Sequence, residues 1–446
     1  MSRLETGQNR PSLIEWANAG WFRLRHSRMV DNVVALYVVH FANYLLPLIT
    51  VPYVVRVLTP SGYGLGAFAV SFAGFFGTVA DYGFNLTATR AVSVNRASRP
   101  EVSRIATQVM FTKAVMLGHC AGAFWLLTWA VPKLHGNNLV MWMGFLQVAM
   151  GSLTPFWLYQ GLEELRFSSR VNLVARVAYV PALFLFVRRP ADTWKWMLLQ
   201  AVVAVISAGI LWLNAWLRLG VGWVRPRWAD LQTQVREGFS LFVSQAAVKA
   251  YTSGNTFILG MFTNVTIAGY YSAAERVVQM VLGLLGPVSQ AVYPRAIQLA
   301  ASSRDAALQL TRKMMLFMGT AGFGLSTGVL VTAPWVVPVL LGAKFQASIT
   351  IMQILSPLPF LLALSNVLGI QIMVPFKHDV AFTVILVAAG LFNVGMSSLL
   401  APHWQGNGMA VSVTFSELLV TATMFWYLGR RRLVPWGKAQ PEAANV

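Results

Sequence analysis

The sequence predicts an all-α, polytopic membrane protein of about twelve transmembrane helices in two six-helix lobes. Three observations lead there. Hydrophobic residues fill 56% of the 446 positions and charged residues only 11%, against about 25% charged in a soluble domain. Nearly uncharged apolar stretches recur along the chain, each long enough to cross a hydrocarbon core about 30 Å thick. Lysine and arginine gather on alternate sides of those stretches. Helices are expected because hydrocarbon offers backbone N–H and C=O groups no other partner.

The first half holds spans at 33–57, 63–84, 105–131, 139–159, 171–187 and 194–217, and the second at 239–262, 268–293, 314–341, 349–374, 379–401 and 406–428. With the N-terminus in the cytoplasm, 24 of the 34 Lys and Arg residues fall on inner segments, 6 on outer loops, and four (Lys113, Arg176, Lys249, Arg276) inside spans. Basic residues accumulate on the cytoplasmic side. This bias therefore predicts an even number of spans with both ends inside, and it accounts for the net charge of +19 without nucleic acid. The expected organisation is a basic segment 1–30, a six-helix lobe 31–217, a cytoplasmic linker 218–238, a second lobe 239–429 and a cytoplasmic tail 430–446. The first 30 residues carry five arginines and no sustained apolar core, so no cleavable signal peptide is expected. Residues 12–28 read as an interfacial helix, with Leu13, Trp16, Trp21 and Leu24 toward lipid.

The single cysteine, Cys120, permits no intrachain disulfide and no zinc site of the CxxC type. It reads as a packing thiol. Neither a metal nor a cofactor is expected.

The halves resemble each other at an offset of about 205 residues. Leu58-Thr59 followed by Gly64-Leu65-Gly66 recurs as Phe262-Thr263 followed by Gly269-Tyr270-Tyr271. Equal span counts support a duplication, and six spans per half keep the orientation, so the lobes should be related by an axis along the membrane normal. Prolines at 47, 52, 155, 181, 287, 334, 338, 357 and 359 interrupt the spans. Each removes a backbone hydrogen bond and can kink its helix.

A charge at mid-membrane costs at least about 2.5–3.5 kcal/mol, so it faces protein or water. Gln245, Lys249, Thr252 and Thr256 share one face of span 7. Span 8 carries Glu275, Arg276 and Gln279, span 12 Glu417, and span 1 His40. Lys113 stands about two turns into span 3. Arg176, near the inner end of span 5, reads as snorkelling. Together Lys113, Arg176, Lys249 and Arg276 exceed Glu275 and Glu417 by two charges. A cationic cavity suits an anionic substrate, whose phosphates would supply the missing counter-charge. Glu275 and Glu417 are the candidates for a coupling ion, with His40, Gln245, Thr252, Thr256 and Gln279 as supporting polar groups.

Several segments resemble Wzx-type flippases, the polysaccharide transporters of the multidrug/oligosaccharidyl-lipid/polysaccharide superfamily. They are NYLLPLITVPYVVRVLTPSGYG (43–64), ADYGF (80–84) with Asp81 and the nearby Arg90, and PFWLYQGLEELR (155–166) with Pro155, Gln160, Gly161 and Glu163. GFSLFVSQ (238–245) and GYYSAAERV (269–277) fit the same family. The resemblance spans 31–430 and matches weakly over 188–235. It implies a V-shaped two-lobe fold and an undecaprenyl-pyrophosphate-linked oligosaccharide, flipped from the cytoplasmic to the periplasmic leaflet of the bacterial inner membrane for O-antigen, exopolysaccharide or capsule synthesis. It also implies ion-coupled antiport, membrane lipids as surroundings, and a polymerase and chain-length regulator as pathway partners.

Other classes fit less well. A glycosyltransferase working on the outer face needs carboxylates there, and Asp192 is the sole outer acid. No GxxxxGK[ST] motif serves an ATP-driven pump. A drug or cation antiporter should show the opposite cavity charge. A lipid-II-type flippase usually has fourteen spans.

Overall fold

The computed structural model describes residues 28–226 and 253–433, with side chains from Leu46 onward, and single positions between 232 and 249 that include Val235, Arg236, Phe239, Phe242, Gln245 and Lys249. The interfacial helix expected at 12–28 falls outside the described residues but for Arg28, as do Thr252 and the side chain of His40.

Every regular element among the described residues is a helix. The first half contains α1 (Arg28–Asp81), α2 (Phe84–Val94), α3 (Arg99–Ala130), α4 (Asn138–Leu153), α5 (Phe156–Gly161), α6 (Leu165–Phe186) and α7 (Thr193–Leu217). The second contains α8 (Asn255–Phe262), α9 (Val265–Leu282), α10 (Gly286–Ser302), α11 (Arg304–Val336), α12 (Ala347–Leu355), α13 (Leu358–Asn366) and α14 (Asp379–Arg430). Among the described residues, eight helices are long and apolar enough to cross a membrane, or nine when α9 and α10, bent by 49°, make one span.

Two of these helices each hold two predicted spans. α1 breaks at Thr59 (φ 65°, ψ 169°), because a residue before proline is pushed out of the helical region and Pro60 then opens the next helix. α14 breaks at Gln405 (φ 51°, ψ −131°). There the chain doubles back: Ser416 Oγ lies 3.4 Å from Asn393 Oδ1, whereas 23 residues of straight helix would span about 34 Å. The seventh predicted span, 239–262, is described at α8 and at single helical positions.

The prolines divide into two groups. Pro155 stands at the break between α4 and α5, Pro287 beside the α9–α10 bend, and Pro338 in a π-helical turn at Val337–Leu341. Pro357 caps α13. Pro47, Pro52, Pro181 and Pro334 lie inside continuous helices, and Pro359 lies in the first turn of α13.

Large apolar side chains cover the outside. Leu126, Leu185, Leu213, Phe323, Leu391 and Phe425 are exposed, which in water would be an aggregating surface and in lipid is the solvated one. Exposed tryptophans mark both ends of the spans. Trp129, Trp335 and Trp404 stand at the predicted outer end, and Trp216, Trp223 and Trp426 at the inner, as interfacial belts do. The Arg430 guanidinium sits 4.2 Å from the Trp426 ring.

The buried core is unevenly shared. Leu58, Tyr63 and Val187 of the first half pack with Tyr271, Leu341, Phe345 and Met409 of the second in one cluster near the predicted outer end. Toward the inner end one cluster gathers around Phe84, Ile105 and Trp157, with Val235 and Phe242 of the second half packed against it, and another lies around Met315, Met373 and Leu428. At the shared end two backbones cross without side chains between them. A Cβ on Gly64 would lie 2.6 Å from Gly269 N and 2.8 Å from its Cα; one on Gly269 would lie 2.9 Å from the Pro60 carbonyl carbon. Close approach through small residues is how helices associate where the hydrophobic effect gives no drive. These are the two glycines that correspond in the internal repeat. The Arg56 guanidinium donates to the Val339 carbonyl beside this crossing, and Tyr63 stacks on Trp196 at 5.5 Å.

The charge bias sets an orientation that can be measured. Reporter fusions should place 218–237 and Arg430–Arg432 in the cytoplasm, and 132–138 and 402–405 outside. A C-terminus on the outer side would overturn the even-span topology.

Candidate functional site

Between the halves lies a cavity of about 1270 Å³. Both arms of α1 line it, with Thr50 and Val54 before the break and Ser71 and Asp81 after it. α4, α6 and α7 contribute Gln147, Asn172, Arg176 and Gln200, and the second half contributes Lys249, Thr256, Glu275, Arg276 and Gln279. The polar positions recur three or four residues apart on each helix, which places them on one face.

Arg176 lines the cavity rather than snorkelling to the surface. Arg276, although it belongs to the other half, lines the same cavity. Lys249 lines the same space and is exposed to it. Among the described residues, none of these three cations has a carboxylate within ion-pair distance. Glu275, also at the cavity wall, accepts a hydrogen bond from Tyr271 at 3.1 Å.

Lys113 does not face the cavity, which corrects the expectation from sequence. Its ammonium is fully buried. It donates to Asp81 Oδ1 at 3.0 Å, to the Ser152 carbonyl at 2.9 Å and to Asn85 Oδ1 at 3.4 Å. Lys113 thus neutralises Asp81, the acidic residue of the ADYGF motif, from behind. The cavity keeps an excess of two positive charges with a different membership: Arg176, Lys249 and Arg276 against Glu275.

Glu417 also lies off the cavity. It is buried in the second half, accepting from Ser365 Oγ at 2.7 Å. Gln245 is exposed but is not among the cavity-lining residues.

The other motif residues shape the inner corner of the first half. Pro155 precedes α5, and Gln160 reaches the cavity. Gly161 lets α5 meet α2, since a Cβ there would sit 2.8 Å from Val92 Cβ. Glu163 pairs with Arg96 at 2.6 Å on an exposed surface, where such pairs contribute little. Arg90 is exposed on α2. Asp192, the sole outer acid, is occupied as a cap. Its carboxylate takes the Lys195 ammonium at 2.7 Å and the backbone N–H groups of Arg188 and Arg189 at 3.0 Å. The Lys195 bond first, and then those amides, hold its pKa down at about 2.

Gln147, Asn172 and Gln200 escaped the sequence reading. Asn172–Arg176–Tyr179 and Gln200–Ser207 follow the same helical spacing used for spans 7 and 8, so the signal was present in spans 5 and 6. Gln147 donates to Gln200 Oε1 at 3.2 Å.

A family described as "Polysaccharide biosynthesis protein" matches residues 29–300. The chain is 31% identical to a protein of Escherichia coli (strain K12) named "Putative O-antigen transporter", over 90% of this chain and 97% of that one. A protein of the same name from Shigella dysenteriae is 23% identical, over 89% and 99%. Among solved structures, the lipid II flippase MurJ in an inward closed conformation superposes with a TM-score of 0.69 at 10% identity, covering 89% of this chain and 87% of that one. An inward-facing MATE-family multidrug resistance transporter of the MOP superfamily gives 0.62 at 11%, covering 89% and 98%. At such identities these two show the fold alone. The extent of the family match and the full-length relatives establish that this chain, a multi-pass membrane protein, belongs to the polysaccharide biosynthesis protein family to which its motifs pointed.

Proposed function

We propose that the protein is a flippase that carries undecaprenyl-pyrophosphate-linked oligosaccharide repeat units from the cytoplasmic to the periplasmic leaflet. The carrying observation is that Arg176 and Arg276, from opposite halves, line one cavity with Lys249, and that none of the three is ion-paired with a carboxylate among the described residues. Like charges on one cavity are relieved by an anion between them, and planar guanidinium forks match phosphate oxygens. The amides of Gln147, Asn172, Gln160 and Gln279 supply the donors and acceptors that a sugar needs. An organic cation would meet repulsion here, which disfavours the drug-antiporter alternative. The protein acts as a transporter and not as a transferase, a reading supported by the use of Asp192 as a structural cap. The two halves alternate around the cavity, opening to one side at a time.

Glu275 is the coupling carboxylate in this reading. It shares the cavity with the substrate charges, so its protonation and anion binding affect each other directly; Glu417 has no such contact. The test is a strain lacking this gene. It should accumulate lipid-linked oligosaccharide on the cytoplasmic leaflet and lose its surface polysaccharide, and the wild-type gene should restore both. Glu275→Gln should flatten the pH dependence of flipping, whereas Glu417→Gln should keep it. Normal surface polysaccharide in the deletion strain would refute the flippase reading. Unchanged pH dependence in Glu275→Gln would refute the coupling role.

A further inference from the structure

A second space, about 460 Å³ and almost wholly apolar, opens beside the main cavity. Val115 and Met116 of α3 line it together with Val235 and Phe239, so it lies where the first half meets the entry to the second. Tyr82 lines it as well, and so does Arg236, an exposed cation.

The slot and the central cavity share a partition. Asp81 lines the cavity and the next residue, Tyr82, lines the slot. The Tyr82 ring stacks on Phe242 at 4.7 Å and 10°, joining the halves by a face-to-face contact. Backbone packs there too, since a Cβ on Gly238 would lie 3.1 Å from the Tyr82 carbonyl oxygen, so a path from one space to the other opens only when the halves part at this contact.

The flippase reading demands such a path. The pyrophosphate of a polyprenyl-linked sugar enters the cationic cavity, but its hydrocarbon cannot follow. Chain laid against Arg176, Gln147 or Glu275 would strip polar groups of water and return no hydrogen bond. The tail must therefore leave sideways between the halves, and the shared outer core blocks the far end. We infer that the apolar slot between α3 and residues 235–239 holds the first isoprene units of the polyprenyl carrier, with Arg236 beside the phosphates at its mouth. The occupant is the substrate's own tail, not a bilayer acyl chain. Charge complementarity at Arg236 and contiguity with the anion cavity select it. A volume of this size lies in the range of about 300–1,000 Å³ usual for small-ligand sites.

This inference rests on the flippase reading, and the experiment separates the two. Full-length protein in nanodiscs of neutral phospholipid is irradiated with a farnesyl pyrophosphate bearing a diazirine near its head. Labelled peptides are then mapped by mass spectrometry, with and without excess inorganic pyrophosphate. The expected result is labelling concentrated at 112–116 and 235–239, falling at least fivefold when inorganic pyrophosphate competes. Val115→Trp, which fills the slot, should lower that labelling by a similar factor while inorganic pyrophosphate binding stays at the wild-type level. Labelling of the slot that pyrophosphate leaves unchanged would identify a bilayer lipid as occupant and overturn the inference. Competed labelling elsewhere would overturn the slot and leave the flippase reading standing. Absence of any pyrophosphate-sensitive labelling, together with no binding of inorganic pyrophosphate, would overturn both.

Discussion

Arg276→Gln should lower flipping by about ten- to a hundredfold without lowering the amount of protein in the membrane. The range follows from the loss of a hydrogen-bonded charge pair, about 1.5–3 kcal/mol, with tenfold for each 1.4 kcal/mol. Arg276→Lys should keep part of the activity, because it keeps the charge and loses the fork. Arg176→Gln should behave alike. The double variant should lose less than the product of the two single losses, since both side chains are read as holding one anion and groups that share a partner are not additive. Lys249→Ala should also fail to restore surface polysaccharide, and Lys249→Glu should be worse, because it would repel the phosphates. The empty protein gives an independent check. Arg176 and Arg276 place two like charges on one cavity, so removing either should leave the melting temperature unchanged or raised. A marked fall would show that the arginines are structural. Full activity in both Arg276→Gln and Lys249→Glu would remove the cationic-cavity argument.

How far these residues were legible in the sequence depends on where their partners lie. Lys249, Glu275, Arg276 and Gln279 could be placed on cavity-facing stripes because the 3.6-residue period is a local property. Lys113 could not. Its counter-charge, Asp81, is 32 residues away on another helix, and no spacing rule on span 3 reveals a partner on span 2. Glu417 failed for the same reason, since Ser365, 52 residues distant, draws it into the interior of the second half. Lys113 and Glu417 carry opposite signs, so leaving both out of the cavity does not alter the sum. Hydropathy showed that the chain crosses a membrane many times, and the end of the first apolar run at 57 placed one turn close to Thr59, where the helix breaks. The break at Gln405 follows Pro402 by three residues, and the change in apolar pattern around 402–405 placed it. Prolines alone overstated the bending, because a membrane helix can absorb Pro47, Pro52 or Pro334 while its neighbours re-satisfy the freed carbonyl. The crossing of Gly64 with Gly269 was visible only as a faint repeat, and contact between repeat-related positions is a tertiary fact.

That crossing leads to the largest conformational effect. Gly64→Val should abolish flipping while the protein still inserts. The added side chain meets the Gly269 backbone and not a movable group, so the helices must separate. Overpacking of this kind costs about 1–3 kcal/mol even where neighbours can yield. At about 2.7 kcal/mol the closed outer end becomes a hundredfold less populated relative to the open one. Leu58, Tyr63 and Tyr271, now in the shared core, would then be exposed to the outer side, and the cycle would lack one of its two states. Gly269→Val should act alike, because the contact is reciprocal. Gly118→Ala is the control, since a Cβ there meets nothing within 4 Å; it should leave flipping intact. The state itself can be read with Cys120 replaced by serine and a cysteine put at Ser272, a buried position on the cavity wall. A membrane-impermeant maleimide added outside should label Ser272→Cys slowly in the parent and several times faster with Gly64→Val. Equal labelling rates together with normal flipping would show that the outer ends need not close through these glycines.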